Sequence, residues 1–163
     1  MPGKASSGGG KLAIGKKVPA FSSLVTGGGS WKSSAAAGKN VVIYFYPRDN
    51  TTGCTAEGEA FRDLAPAFKK ANTLIFGVST DSIASHDKFK AKYSFPFELL
   101  SDPEQALCQL FDVIKEKSMY GRKFMGVERS TFLLDGSGVL RQEWRKVKVP
   151  GHAEAVLAAA QSL

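Results

Sequence analysis

Two cysteines, Cys54 and Cys108, and two histidines, His86 and His152, are the residues best equipped for chemistry. Neither histidine has metal-ligand spacing with a cysteine, and no Cys-x-x-Cys pair occurs, so a zinc site and a thioredoxin-type dithiol are both disfavoured. Cys54 stands out by its position. It closes the segment Pro47-Arg48-Asp49-Asn50-Thr51-Thr52-Gly53-Cys54, which leaves an apolar, β-branched and aromatic run at 41–46 and enters a helical pattern. A ligand site in an open α/β sheet lies at such a strand-to-helix junction. A cysteine in the first turn of a helix meets unpaired N–H groups and the positive end of the helix dipole, both of which favour thiolate over thiol. The chemistry suggested is nucleophilic attack by sulfur. On position alone, a half-buried structural cysteine fits equally well.

The elements around that junction follow from apolar periodicity. The run 41–46 and the run 73–79 suit strands buried on both faces. Between them, 54–71 reads as a helix with Ala60, Phe61, Leu64 and Phe68 on one face and Pro66 as an expected kink. Asp81 or Ser82 caps a helix reaching Tyr93, with His86 expected on its surface. Residues 97–100 form a short strand. Asp102 caps a helix from Pro103 to Phe111, and 113–128 read as a polar loop. Strands at 130–134 and 139–146 join through Asp135-Gly136-Ser137-Gly138, and a last helix runs from His152 to Gln161. The segment 14–40 carries two or three short strands around Gly27-Gly28-Gly29. This order implies a three-layer α/β domain with a mixed sheet.

Composition sets the outer bounds. The chain has 163 residues, 43% of them hydrophobic, and forms one domain with no disulfide framework. No apolar run is long enough for a transmembrane helix. The net charge is +7, of which Lys4, Lys11, Lys16 and Lys17 supply four. Residues 1–12 read as a disordered Gly/Ser-rich tail and 13–163 as the folded domain. A basic tail can hold nucleic acid loosely, but no aromatic stacking motif or basic recognition helix accompanies it, so no nucleic-acid partner is expected. Nothing resembles a secretory signal, and a reducing cytoplasm is the expected compartment.

The spacing Pro47-x-x-x-Thr51-x-x-Cys54 resembles the active-site pattern of the peroxiredoxins. Tyr44-Phe45-Tyr46-Pro47 followed by Gly53-Cys54-Thr55-x-Glu57 is similar to the Q-type, bacterioferritin-comigratory-protein branch. Gly77-Val78-Ser79-x-Asp81, Leu100-Ser101-Asp102, Tyr120-Gly121 and Glu128-Arg129-Ser130-Thr131-Phe132 extend the likeness over roughly 14–160. The resemblance implies a thioredoxin-like fold with an N-terminal hairpin extension, and a thiol-dependent peroxidase acting on hydrogen peroxide and small organic hydroperoxides without a cofactor or metal. It implies Cys54 as nucleophile, Arg129 stabilising the thiolate and the peroxide oxygens, and Thr51 offering its hydroxyl to the peroxide or the sulfur. The Cys54 and Gly53 N–H groups would donate as well, Pro47 would shield the sulfur, and Glu57 would orient Arg129 or a neighbour. Each has a plainer alternative: Thr51 as a helix cap, Pro47 as a strand end, Glu57 as a solvated first-turn acid, Arg129 as a surface cation.

After attack Cys54 becomes a sulfenic acid that must be reduced. In this branch a second cysteine commonly stands at the position of Glu59 or of Lys90, and both are absent here. Only Cys108 is left, among Ala106, Leu107, Leu110 and Phe111, where a buried core residue is the simpler reading. The expectation is a one-cysteine cycle in a monomer, with a small thiol, thioredoxin or glutaredoxin as reductant. A redox sensor switched by Cys54 oxidation, a two-cysteine peroxidase resolved by Cys108, and a hydrolase pairing Cys54 with His152 are the alternatives.

Overall fold

The computed structural model describes residues 12–163. The expected tail at 1–12 therefore lies outside the described residues, apart from Leu12, which packs partly buried against the core. Strands are β1 (Ser22–Val25), β2 (Ser30–Lys32), β3 (Asn40–Phe45), β4 (Thr73–Ser79), β5 (Glu98–Ser101), β6 (Ile114–Met119), β7 (Arg122–Val127), β8 (Ser130–Leu134) and β9 (Leu140–Trp144). Helices are α1 (Thr52–Lys70), α2 (Ile83–Tyr93), α3 (Ala106–Leu110) and α4 (His152–Gln161), with one 3-10 turn at Ser33–Ala36.

Seven strands form one mixed sheet in the order β9-β8-β3-β4-β5-β1-β2. The centre is parallel, β3 with β4 and β4 with β5, and α1 and α2 make the crossovers. Antiparallel strands close both edges: β8 and β9 beside β3, and the N-terminal β1–β2 hairpin beside β5. The period-two alternation of a strand explains why 41–46 is apolar throughout. Val41, Ile43 and Phe45 face one core with Phe76, Phe111 and Phe132. Val42, Tyr44 and Tyr46 face the other, with Phe61 and Phe68 of α1, Phe89 of α2 and Val156 of α4.

Three expectations need correction. The segment 113–128 is the two-stranded β6–β7 hairpin, not a loop. Its strands are polar because they stand off the main sheet. The two-residue turn Tyr120-Gly121, at φ 53° and 78°, has the double left-handed geometry that tight hairpins use. Second, the helix expected from Pro103 begins only at Ala106, although Asp102 does accept from the Leu107 and Cys108 N–H groups. Third, His86 is fully buried. Elsewhere the agreement is close: Ser82 caps α2 by accepting from the Ser85 N–H at 3.1 Å, and α1 starts two residues before Cys54.

Gly58, in α1, lies against the Phe95 ring, and a Cβ there would run into its Cζ end. Alanine normally outranks glycine inside a helix. Gly58→Ala is nonetheless expected to destabilise the fold by about 1–3 kcal/mol, the cost of overpacking, measured as a lowered midpoint in urea unfolding.

Candidate functional site

The carboxyl end of β3 delivers Pro47, and the chain then loops over Arg48 to Thr51 into α1. Cys54 is the third residue of that helix and is only 2% exposed. Thr51 is the N-cap residue but makes no side-chain cap bond, so the first-turn N–H groups of Gly53 and Cys54 lack that partner. Its hydroxyl donates instead to the Arg48 carbonyl at 2.9 Å and is exposed. The helix-cap alternative for Thr51 therefore does not hold, and its hydroxyl makes no hydrogen bond to the sulfur.

Arg129 sits between β7 and β8, far from Cys54 in sequence, and the β3–β8 pairing brings it to the helix tip. Its Nη2 lies 3.4 Å from Cys54 Sγ and its Nη1 2.6 Å from Glu57 Oε1. A planar guanidinium can serve two anions in this way with separate N–H groups. Gly53 leaves room for it: a Cβ at that position would stand 3.2 Å from Arg129 Nη2. Glu57 is 1% exposed, which removes the solvated-acid alternative, and its Oε2 has no hydrogen-bond partner among the described residues. Burial pushes the Glu57 carboxyl up to about 7 against the opposing pull of Arg129. Burial works against the Arg129 charge too, but Glu57 and Cys54 outweigh it and raise its pKa.

Two further groups near this cluster escaped the sequence reading. Lys117, on β6, feels both charges: burial and then Arg129 lower its ammonium, while Cys54 pulls the other way. Tyr44 stacks on Phe61 at 4.7 Å beneath the site, and its hydroxyl has no partner among the described residues. Burial first, then the charge of Glu57, raises its pKa. The signal for Lys117 lay in the Tyr120-Gly121 turn, which marks a hairpin and so the return of β6 and β7 toward Arg129.

The remaining candidates are engaged elsewhere. Cys108 is fully buried in the core on the opposite face of the sheet from Cys54, and burial followed by the Asp102 carboxylate pushes its thiol well above the usual range. His152 is paired with Thr131 Oγ1 at 2.8 Å, and burial and then Arg129 lower it to about 4. Asp49, Asp81 and His86 form a compact acid–imidazole cluster. Their inward atoms already accept from or donate to Ser79, Ser85, the Asp49 N–H and one another, so a cation would have to displace protons.

The AhpC/TSA family model matches residues 14–143. The chain is 58% identical over 135 residues to peroxiredoxin Bcp of Xanthomonas campestris, covering 83% of this chain and 84% of that protein. Among solved structures, Xanthomonas campestris peroxiredoxin Q superposes with a TM-score of 0.84 at 55% identity, covering 87% and 90% of the two chains. A cysteine-to-serine variant of PrxQ from Xylella fastidiosa superposes with a TM-score of 0.88 at 42% identity, covering 94% and 98%. The Xanthomonas protein has been solved as two single cysteine-to-serine variants whose positions are 36 residues apart. The same interval counted from Cys54 falls on Lys90, which pairs with Glu98 at 2.6 Å. With the family pattern matched over most of its length and its mixed sheet superposing on solved relatives, this chain belongs to the AhpC/TSA family, among the Bcp/PrxQ peroxiredoxins.

Proposed function

We propose that this thiol-dependent peroxidase works through Cys54 alone, with an external thiol completing the cycle. The observation that carries this reading is the position of Arg129, one guanidinium hydrogen-bonded to both Cys54 Sγ and Glu57. The Cys54 thiolate attacks one oxygen of ROOH. The S–O bond forms as the O–O bond breaks, and RO⁻ leaves to take up a proton. Arg129 and the free amides of Gly53 and Cys54 stabilise the charge that moves along the line of attack. Thr51 turns from Arg48 toward the peroxide on binding, and Pro47, which has no N–H, adds no donor to compete for the sulfur. Sulfur has then lost two electrons and peroxide has gained them.

The sulfenic acid is next attacked by an external thiol, which forms a mixed disulfide and releases water. A second thiol frees Cys54 and leaves as the oxidised disulfide. Cys108 is a poor resolver because the sheet separates it from Cys54 and it resists ionisation. The substrates are hydrogen peroxide and small organic hydroperoxides; an alkyl peroxide reduction activity is ascribed to the Xanthomonas relative. Small thiols, thioredoxin or glutaredoxin are the reductants, in a reducing cytoplasm. All groups of the site come from one chain, so a monomer suffices. Among the described residues no helix is long and apolar enough to cross a membrane.

Peroxide consumption with dithiothreitol is expected to vanish in Cys54→Ser and to persist in Cys108→Ser. A dominant intramolecular Cys54–Cys108 disulfide, seen by mass spectrometry after one equivalent of peroxide, would overturn the one-cysteine cycle. Arg129→Lys is expected to lower kcat/KM by about 10²- to 10³-fold, since an ammonium cannot bridge both partners.

Glu57 gives a pH signature. Its carboxyl is raised from 4.5 to about 7, so the folded state holds a proton that the unfolded chain has released. Stability should therefore fall as pH rises across that window. Ionised Glu57 fixes Arg129, so kcat/KM should rise through the upper end of the same window. Glu57→Gln is expected to flatten the dependence of Tm on pH and to remove that ionisation from the rate profile.

A further inference from the structure

His86 was expected at a helix surface, yet it is fully buried with both ring nitrogens engaged. Its Nε2 lies 2.8 Å from the Leu100 carbonyl oxygen, which can only accept, so Nε2 donates. Its Nδ1 lies 2.7 Å from Asp49 Oδ2. A neutral imidazole has a single N–H. A second proton therefore lies on the His86–Asp49 hydrogen bond, and the pair is held together inside the protein as an acid and a base.

Asp49 is the point at which this pair grips the loop between Pro47 and Thr51. Its Oδ1 accepts from the Tyr46 hydroxyl at 2.6 Å, its Oδ2 accepts from Ser85 at 2.7 Å, and its N–H donates to Asp81 Oδ2 at 2.8 Å. Asp81 is itself held by the Ser79 hydroxyl at 2.6 Å. The next residue, Asn50, has a left-handed φ of 62° and accepts from the Tyr93 hydroxyl at 3.2 Å. The loop is thus clamped at Asp49 and Asn50 by Tyr46, by Asp81 of the β4–α2 connection and by residues of α2, immediately before Thr51 and the first turn of α1. None of these hydrogen bonds involves the sulfur, whose partner is Arg129.

We propose that His86, acting through Asp49, is a positioning residue for peroxide attack: it fixes the Pro47–Thr51 loop so that Thr51 and the first-turn amides meet the peroxide on the line of attack. The clamp acts on the peroxide's partners and leaves Arg129 and Cys54 in place. This rests on the reading of Cys54 as the peroxidatic nucleophile, and the controls separate the two.

The test compares two reactions of Cys54 in the full chain: single-turnover oxidation by hydrogen peroxide, and alkylation by iodoacetamide, which needs a reactive sulfur but no oriented O–O bond. In His86→Leu the peroxide rate is expected to fall about 10- to 100-fold, the cost of a misplaced attack geometry. The alkylation rate should stay within about threefold of wild type. Because an unpaired buried Asp49 strains folding, Tyr46→Phe, which deletes one hydroxyl from the clamp, carries the same comparison with an expected peroxide loss of about three- to tenfold. A peroxide rate within about twofold of wild type in folded Tyr46→Phe, or parallel losses in both reactions, would overturn the proposal. If wild-type Cys54 is alkylated but not oxidised by peroxide, the peroxidase reading itself falls, and His86 is not at issue.

Discussion

One guanidinium shared between a sulfur and a carboxyl group governs this site. Arg129 must face Cys54 Sγ and Glu57 at once, and the distances, 3.4 and 2.6 Å, show it closer to the carboxylate. Glu57 is the more deeply committed partner: it is buried, half its oxygens lack a donor, and desolvation opposes its charge. Removing Arg129 would leave a carboxylate buried without a counterion, a costly arrangement. The arginine is thus fixed by a structural requirement, and its second N–H face is what remains for chemistry. The sulfur sits in a field set by a neighbour three residues along its own helix.

That constraint reaches into the sheet. Arg129 arrives at the helix tip only because β8 pairs antiparallel with β3, placing Ser130 opposite Phe45. The guanidinium lies close to Gly53 and the Phe95 ring close to Gly58, so a Cβ at either position would crowd its neighbour. The same sheet keeps Cys108 in a separate core. The topology that joins Cys54 to Arg129 therefore keeps the two thiols apart.

Much of this was legible in the sequence, for identifiable reasons. The 41–46 run is buried on both faces and has no polar interruption, so period and composition agreed. Ser82 has a free hydroxyl just before a helix, a local signal that needs no tertiary knowledge. By contrast, β6 and β7 expose Met119, Tyr120 and Met125 and bury little, so hydrophobic patterning had nothing to detect. His86 is polar in sequence and buried in space because α2 packs its polar edge on a loop that is itself polar, and only the fold shows that contact. Thr51 was assigned its role by pattern. Its actual bond, to Arg48 O, depends on a backbone conformation that the residue types alone do not specify.

The site must admit a small peroxide and later a thiol to a sulfur that is 2% exposed. The two demands differ in size, and the loop is built unevenly to meet them. Asp49 and Asn50 are held by Tyr46, Asp81 and α2, whereas Thr51 makes no cap bond and α1 carries no acid in its first turn to stabilise its start. An uncapped helix end frays at low cost, typically ~1 kcal/mol less well held than a capped one. Opening can therefore begin at Thr51 to Gly53 and expose sulfur while Asp49 stays clamped. Here α2 is tied at His86 and, more weakly, at the half-exposed Lys90–Glu98 pair. The ties that hold α2 are also the ones that hold the loop before α1.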